Sequence, residues 1–285
     1  MMQDVIQVLA NLSTLVFVIS SMLSLGLSLT VQQILAPLKD VRLVLRVLLA
    51  NFVLVPLVAY LLKTVIPLDD SLAIGLILLA TAAGAPFLPK LAQASKGNVP
   101  LSVGMMVLLM VVTVIYMPVV LPLLLPGVQV NPAEIARSLV ILMLIPLAIG
   151  LFVNARYEAI AHSLQPQMAQ ASSTSLLAVF VLMLVLNVDS VLGAIGSGAI
   201  LAAVLLIAAS LAMGYALGGK SFEVKSVVGL GTAQRNIAAA LVVANGNFAD
   251  DPNVLTMILV GALLMLVILM PLAGEIGKRR SNPTT

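Results

Sequence analysis

The residue with the greatest chemical consequence is Arg235, which lies at the centre of an otherwise apolar segment, residues 226–244 (SVVGLGTAQRNIAAALVVA). In a continuous helix, with a rise of 1.5 Å per residue, the arginine would lie roughly 15 Å from either end of this segment. That depth is the centre of a hydrocarbon core about 30 Å thick. A charge there costs several kcal/mol unless it is paired or lines a wet cavity. A polar membrane helix of this kind is typical of a transport site rather than of a passive anchor. The polar and glycine residues around the arginine are Gly229, Gly231, Thr232, Gln234 and Asn236.

A second interrupted segment covers residues 71–98 (SLAIGLILLATAAGAPFLPKLAQASKGN). A proline inside a helix removes a backbone hydrogen bond, and in lipid the freed carbonyl groups need other partners. Interrupted helices in corresponding places of two halves are the best sequence indication of a transporter's binding site. We predict helix breaks at Gly84, Pro86, Pro89, Gly229 and Gly231. We predict a substrate or core site formed by Asn51, Gly84, Pro86, Lys90, Thr232, Gln234, Arg235 and Asn236.

Composition restricts the class of protein. The chain is 61% hydrophobic and 9% charged, whereas a soluble domain carries about 25% charged residues. We therefore expect a polytopic membrane protein whose main surroundings are the lipid bilayer. The absence of cysteine and the single His162 argue against thiolate or histidine metal sites. We expect no metal, no catalytic residues and no nucleic-acid partner.

Nine apolar segments are predicted to span the membrane as helices, because no dyad pattern of a membrane barrel is present. The third span is next to last in the first half of the chain, and the eighth is next to last in the second half. This placement predicts two inverted repeats of four and five helices, about 1–126 and about 133–275, followed by a basic cytoplasmic tail, 276–285. The spans are about 5–29, 42–65, 71–95, 99–126, 133–154, 171–190, 196–217, 224–247 and 253–275.

Basic loop residues fall mainly on one side of these nine spans. Only Lys63 and Arg137 fall on the other side. Because cytoplasmic loops carry an excess of lysine and arginine, we predict an outer N-terminus and a cytoplasmic C-terminus in the inner or plasma membrane of the cell. The residues on the cytoplasmic side are Lys39, Arg42, Arg46, Lys96, Arg156, Lys220, Lys225, Lys278, Arg279 and Arg280.

At four places the chain resembles the bile acid:sodium symporter family. The segments are SLGLSLTVQQI at 24–34, ANFVLVP at 50–56, GAPFLPKLAQASKGNVPLSV at 84–103 and GTAQRNIAAAL at 231–241. The last two are similar to the family's first and second crossover helices and are the most specific. The resemblance implies a core domain with two crossing broken helices, a panel domain and alternating access. Nine spans would fit a bacterial-type member without the first helix.

The sodium-site residues of the family are altered here. The resemblance places the family's sodium-binding glutamate at Gly229 and a Ser-Asn pair at Leu88–Pro89. Asn51 stands where the family has a glutamine and keeps an amide. The family's glutamine and asparagine of the second crossover fall at Ala233 and Gln234. Because sodium prefers oxygen ligands that include a carboxylate, as other hard cations do, we expect the usual sodium sites to be absent. Sodium as a cofactor stays open.

In exchange the same region carries two cations, Lys90 and Arg235. We hypothesise that these fixed charges replace the sodium ions and neutralise the converging helix dipoles. Either cation could also meet an anionic substrate, since arginine binds carboxylates in bidentate fashion. For Arg235, pairing with backbone carbonyls at the breaks is the competing interpretation. For Lys90 the competing interpretation is that its amine extends to the cytoplasmic interface.

The predicted function is therefore secondary active or facilitative transport of a small organic anion by alternating access. A sodium-coupled organic anion symporter is the main alternative, and a channel or a non-transporting membrane sensor is the second. An intramembrane enzyme is disfavoured because the chain has no HExxH or GxSxG motif. The substrate, the coupling ion, the direction of transport and the oligomeric state stay open.

Overall fold

Helices are the only regular secondary structure in the part of the chain that the computed structural model describes, which is residues 2–128, 130–131, 133, 136–137, 140–248 and 250–281. The prediction of an all-helical protein is confirmed. Some of these helical segments are long and apolar enough to cross a membrane, judged by length and composition. They are Val5–Ser28, Val41–Val65, Val99–Leu124, Ala199–Leu217, Phe222–Asn247 and Pro252–Arg280.

Shorter or longer helices occupy the other predicted spans. The third predicted span contains the apolar helix Asp70–Thr81, and the fifth contains Val140–Arg156. The sixth falls inside the long helix Glu158–Gly193. Residues 134–135 and 138–139 of the fifth span lie outside the described part of the chain. The total of nine spans therefore stays a prediction.

The helices are numbered here in chain order. A 3₁₀ turn covers Ala36–Lys39, and π-helical turns cover Ala50–Leu54 and Val140–Leu144. The α-helices are α1 Met2–Ser28, α2 Val31–Leu35, α3 Val41–Leu49, α4 Val55–Val65, α5 Asp70–Thr81, α6 Leu88–Ala94, α7 Val99–Leu124, α8 Ile145–Arg156, α9 Glu158–Gly193, α10 Ala199–Leu217, α11 Phe222–Ala233, α12 Ile237–Asn247 and α13 Pro252–Ser281.

The smaller of two compact units comprises Met1–Ala36 and Ala136–Asp189. In it α1 packs along α8 with direct backbone contact, since a Cβ atom on Gly26 would lie 2.4 Å from the carbonyl oxygen of Leu147. Only a residue without a side chain permits this approach. The side-chain amide of Asn154 also donates to the Leu29 carbonyl at 3.0 Å. These contacts hold α1 and α8 in one fixed register.

The larger unit comprises Pro37–Ile135 and Ser190–Thr285 and contains both interrupted helices. Its helices follow one order twice, namely continuous, interrupted and continuous. The first set is α3 running through a π-turn into α4, then α5 with α6, then α7; the second set is α10, then α11 with α12, then α13. Each unit draws segments from both predicted repeats, and the repeat assignment itself stays a prediction.

The predicted basic tail begins as helix rather than as a separate extension, because α13 continues to Ser281. An ion pair between Arg279 and Glu275, with an N–O distance of 3.1 Å, spans one turn of this helix. Arg280 donates to the carboxylate of Glu223 and to the carbonyl of Lys96. These contacts explain why the helix extends past the apolar segment. Residues 282–285 of the predicted tail lie outside the described part of the chain.

The first interruption separates α5 from α6 and contains Gly84 and Pro86, two of its three predicted positions; the third, Pro89, lies inside α6. Gly84 has φ +83°, a left-handed conformation that glycine adopts without steric penalty. A Cβ atom there would also lie 2.5 Å from the backbone nitrogen of Met110 on α7. Pro86 lies in the turn itself. Pro89 lies in the first turn of α6, where its missing N–H removes no helical hydrogen bond.

The second interruption is displaced from its predicted position. Gly229 and Gly231 lie inside α11, which continues to Ala233, and the break comes at Gln234–Asn236. Both glycines are close-packing positions instead. A Cβ atom on Gly229 would lie 3.2 Å from the Leu211 carbonyl oxygen, and one on Gly231 would lie 2.8 Å from the Leu88 side chain. The segment around Arg235 is therefore two half-helices rather than one continuous helix.

Candidate functional site

The two interruptions are hydrogen-bonded directly to each other within the larger unit. The backbone N–H of Asn236 donates to the carbonyl of Ala82 at 2.9 Å. Its side-chain amide nitrogen donates to the carbonyl of Gly84 at 2.9 Å. Its side-chain oxygen accepts from the backbone N–H of Ala239 and caps α12. One asparagine thus joins both breaks and starts the following half-helix.

Arg235 lies beside this junction and is 1% exposed. Its Nε donates to the carbonyl of Leu79 at 3.2 Å. Its Nη1 donates to Asn51 Oδ1 at 2.9 Å and to the carbonyl of Thr232 at 3.2 Å. Its Nη2 donates to the carbonyl of Ala80 at 2.6 Å and to that of Asn51 at 3.5 Å. A guanidinium group has five N–H donors, so the protein itself occupies every one.

These acceptors include backbone carbonyls at the C-terminal ends of two helices; of these, the carbonyl of Leu79 also accepts from the N–H of Ala82 at 3.3 Å. Leu79 and Ala80 lie in the last turn of α5, and Thr232 lies in the last turn of α11. The last turn of a helix carries unsatisfied carbonyls and about half a unit of negative charge. Arg235 therefore supplies positive charge where the C-terminal ends of two half-helices converge.

Asn51 is the side chain that completes this network. It is fully buried, and its Nδ2 donates to the Val47 carbonyl at 2.9 Å and to Thr232 Oγ1 at 3.2 Å. Its two oxygens both accept from Arg235. The hydroxyl of Thr232 is held where α11 meets α10, because a Cβ atom on Gly214 would lie 2.6 Å from it. A continuous polar network thus connects α3, α11 and the first break.

The carbonyls of Asn51 and Phe52 are free to accept because a π-turn, a feature that recurs at functional sites, is followed by Pro56. The N–H of Val55 donates to the carbonyl of Ala50, and Pro56 has no N–H to offer. The hydroxyl of Tyr116 donates to the carbonyl of Phe52 at 2.6 Å. The two aromatic rings also pack together, with centroids 4.8 Å apart.

Thr113 on α7 satisfies the backbone of the first break. Its Oγ1 accepts from the N–H of Ala83 at 3.1 Å and donates to the carbonyl of the same residue at 3.0 Å. Both polar groups of this non-helical residue are therefore paired, as a buried membrane-embedded backbone requires.

The structure brings together five of the predicted core-site residues, and the two observed helix breaks meet there. The five are Asn51, Gly84, Thr232, Arg235 and Asn236. Pro86 lies in the turn of the first break, before α6. Lys90 is partly exposed on α6 and provides none of the hydrogen bonds of Arg235.

Gln234 is 7% exposed, and its Oε1 is buried with no hydrogen-bond partner among the described residues. It lies in the break but outside the network of Arg235.

Sequence reasoning missed Thr113, Tyr116 and the π-turn. Pro56 was the available signal, since a proline in the interior of a membrane helix leaves a carbonyl on the preceding turn without its donor. The half-helix carbonyls that Arg235 binds carry no side-chain signal at all. Their role depends on where α5 ends.

Residues 15–194 match the family model described as the Sodium Bile acid symporter family. The chain belongs to this family. A comparison with curated proteins gave no match. The family match takes in the first break but ends before the second, so the network of Arg235 extends beyond the matched residues.

The family prediction is thereby confirmed. Members of the Sodium Bile acid symporter family are transporters rather than enzymes, and this chain is an integral membrane protein and a membrane transporter. The crossing of α5–α6 with α11–α12 is the feature of this family member that carries polar chemistry inside an apolar helical unit.

Proposed function

We propose that this family member carries a small organic anion across the membrane by alternating access, as a secondary active or facilitative transporter. The observation that carries the proposal is the junction of two interrupted helices around a buried, fully hydrogen-bonded Arg235. Irregular backbone at membrane depth is tolerated only where protein or a wet cavity satisfies it. Interrupted helices at that depth are where transporters bind substrates and coupling ions.

Arg235 takes the place of a bound sodium ion at this junction. A sodium ion would need several oxygen atoms, by the preference of hard cations, and five oxygen-accepted hydrogen bonds are already made to the guanidinium. Gly229, at the position of the family's glutamate, supplies no carboxylate. We therefore propose that transport does not require sodium at this junction.

The same hydrogen bonds favour a structural role for Arg235 over direct contact with the substrate. With every N–H used by the protein, the guanidinium has no donor left for a bidentate carboxylate bond. Lys90, which is partly exposed on α6, is the second cation that the sequence singled out. We propose Lys90 as the contact for the anionic group of the substrate.

Two inverted repeats and nine spans complete the proposal, with the N-terminus outside and the C-terminus in the cytoplasm. The equal lengths of α5 and α11, which are 12 residues each, support the repeats. The backbone after both helices is extended, at Ala82 and at Gln234. The asymmetry of basic residues among the loops supports the orientation.

The experiment that tests this function is thermal stabilisation of the purified protein by a panel of organic anions, in sodium chloride and in choline chloride. A ligand that binds the native state raises its stability by mass action. We expect at least one anion to raise the melting temperature equally in both salts. A rise that appears only with sodium would overturn the proposed sodium independence and restore the sodium-coupled symporter.

Matched variants separate the roles of the two cations. Lys90→Gln should weaken or abolish the shift caused by the anion, whereas Arg42→Ala, on the exposed side of α3, should leave it unchanged. Saturable uptake of the same anion into liposomes would distinguish a transporter from a channel. Binding without any flux would identify a sensor instead.

A further inference from the structure

The π-turn between α3 and α4 and the proline that follows it together remove the helical donors of two consecutive carbonyls. Val55 donates to Ala50, five residues back, so it is not available to Asn51 in the usual α-helical manner. Residue 56 would be the π-helical donor to Asn51 and the α-helical donor to Phe52, but it is a proline and has no N–H. The carbonyls of Asn51 and Phe52 must both find partners outside the helix.

Those partners come from two different helices. The carbonyl of Asn51 accepts from Arg235 Nη2 at 3.5 Å, and the carbonyl of Phe52 accepts from the hydroxyl of Tyr116 at 2.6 Å. The second bond is the shorter, and the packing of the Tyr116 ring on Phe52 supports it. The tyrosine thus fixes the peptide group between Phe52 and Val53, one residue beyond Asn51.

We propose that Tyr116 is a positioning residue for the helix crossing: by binding the carbonyl of Phe52, it holds the π-turn so that both oxygens of Asn51 reach Arg235. This inference rests on the proposed role of Arg235 as the built-in cation. Asn51 provides two of the five hydrogen bonds of that guanidinium. A π-turn that relaxed toward regular helix would rotate Asn51 away and leave buried N–H donors without acceptors.

The placement of Tyr116 on α7 supports a positioning role. The competing interpretation is that the carbonyl of Phe52 merely gives the tyrosine hydroxyl a hydrogen-bond partner. Thr113 lies three residues earlier, on the same face of the helix, and binds both backbone groups of Ala83. Ala83 is the second residue after the end of α5, whose carbonyls provide two further acceptors for Arg235. One face of α7 therefore fixes both backbone irregularities that deliver acceptors to the guanidinium.

The test observes Arg235 directly in protein labelled with ¹⁵N-arginine. The Nε–H resonance of Arg235 is identified by its loss in Arg235→Lys, and it should exchange slowly with solvent because the group is buried. In Tyr116→Phe we expect this resonance to shift and its hydrogen exchange to accelerate by roughly tenfold, the factor for loss of about one hydrogen bond. Tyr60→Phe, on an exposed tyrosine of α4, should change neither.

An unchanged Arg235 resonance in Tyr116→Phe, even with a lower melting temperature, would show that Tyr116 contributes only local packing and would overturn the proposal.

Pro56→Ala is a second test of the π-turn, and it leaves the tyrosine in place. Its new N–H can bond the preceding turn, so the π-turn should relax and the Arg235 resonance should shift. In that background Tyr116→Phe should add little, and fully additive shifts would contradict the proposal. The resonance of Arg235 is measured without substrate or flux. The proposal for Tyr116 can therefore fail while the transport function stands, and the transport function can fail while the proposal for Tyr116 stands.

Discussion

Asn236 and Gly84 lie 152 residues apart in the chain, and the side-chain amide of the asparagine donates to the carbonyl of the glycine at 2.9 Å. Each is the third residue after a 12-residue helix, α11 in one case and α5 in the other. These two helices also begin 152 residues apart, at Asp70 and Phe222 (222 − 70 = 152). The two breaks thus meet at equivalent positions, which is the arrangement expected where two repeats cross.

Asn236→Ala tests this junction. The variant loses the hydrogen bond to the carbonyl of Gly84 and the cap on the N–H of Ala239. Both backbone groups stay buried but lose these side-chain partners. We expect a loss of about 2–3 kcal/mol in the free energy of unfolding, the combined magnitude of a cap and a buried hydrogen bond. Denaturant unfolding in detergent measures the change. Asn253→Ala, at an exposed asparagine, is the control and should change stability by less than about 0.5 kcal/mol. Equal effects in the two variants would argue against a special role for the junction.

Arg235→Ala should be among the most destabilising substitutions in the larger unit. It removes five hydrogen bonds and leaves buried carbonyls and the Asn51 amide oxygen without donors. Each unsatisfied buried group costs about 1–3 kcal/mol, so we expect a loss of more than about 4 kcal/mol or failure to fold. Arg235→Lys keeps the charge and three donors and should be intermediate. The measurement is the melting temperature of the three proteins, which should fall from the wild type to Arg235→Lys and further to Arg235→Ala.

Charge alone would give a different order. If only the positive charge mattered, Arg235→Lys would match the wild type, and the geometry of the five bonds would be irrelevant. If the arginine contacted substrate and not structure, both variants would fold with wild-type stability and lose only ligand binding. Arg42→Ala, on the exposed face of α3, is the control. It measures the change in melting temperature when an exposed arginine is lost.

The sequence predicted the presence of two interrupted helices, but it predicted only one break at its correct place. The first break is encoded locally, because Gly84 and Pro86 are poor helix formers in an otherwise apolar segment. The second break has no such local cause. It arises because the N–H of Asn236 bonds the carbonyl of Ala82 in the first break, and because Arg235 bonds the carbonyls of Leu79 and Ala80 at the end of α5. Tertiary partners far apart in the chain determined it, whereas Gly229 and Gly231 serve close packing.

The same reasoning explains which site residues were found. Asn51, Thr232 and Arg235 were predicted because polar side chains are rare in apolar segments and stand out. The carbonyls of Leu79 and Ala80 were not predictable, since every residue carries one and only the end of α5 exposes these two. Tyr116 was missed because a single tyrosine in α7 resembles many interfacial tyrosines. Its partner is a backbone carbonyl, and Pro56 shows only that this carbonyl lacks a helical donor, not which side chain binds it.

Thr113→Val should destabilise the first break while preserving side-chain shape. Valine removes the hydroxyl, so the N–H and the carbonyl of Ala83 both lose their buried partner. We expect a loss of about 2–4 kcal/mol, because two backbone groups are left unsatisfied. Thr113→Ser keeps the hydroxyl and should recover most of this stability. A valine variant as stable as the serine variant would show that Ala83 finds other partners. Thermal unfolding of both variants side by side provides the comparison.

Gly84→Ala and Gly127→Ala separate backbone strain from close packing at the first break. Both glycines have positive φ, +83° and +92°, so alanine introduces a similar strain of about 1–2 kcal/mol at each. Only at Gly84 would the new Cβ also meet the backbone nitrogen of Met110, at 2.5 Å, whereas at Gly127 it would meet nothing within 4 Å. We therefore expect Gly84→Ala to be more destabilising by about 1–3 kcal/mol, the usual cost of overpacking, and to weaken any anion-dependent stabilisation. Gly127→Ala should retain that stabilisation in full. Equal losses of stability would mean that α7 can move away from the break, and the rigid junction proposed for these crossing helices would then be wrong.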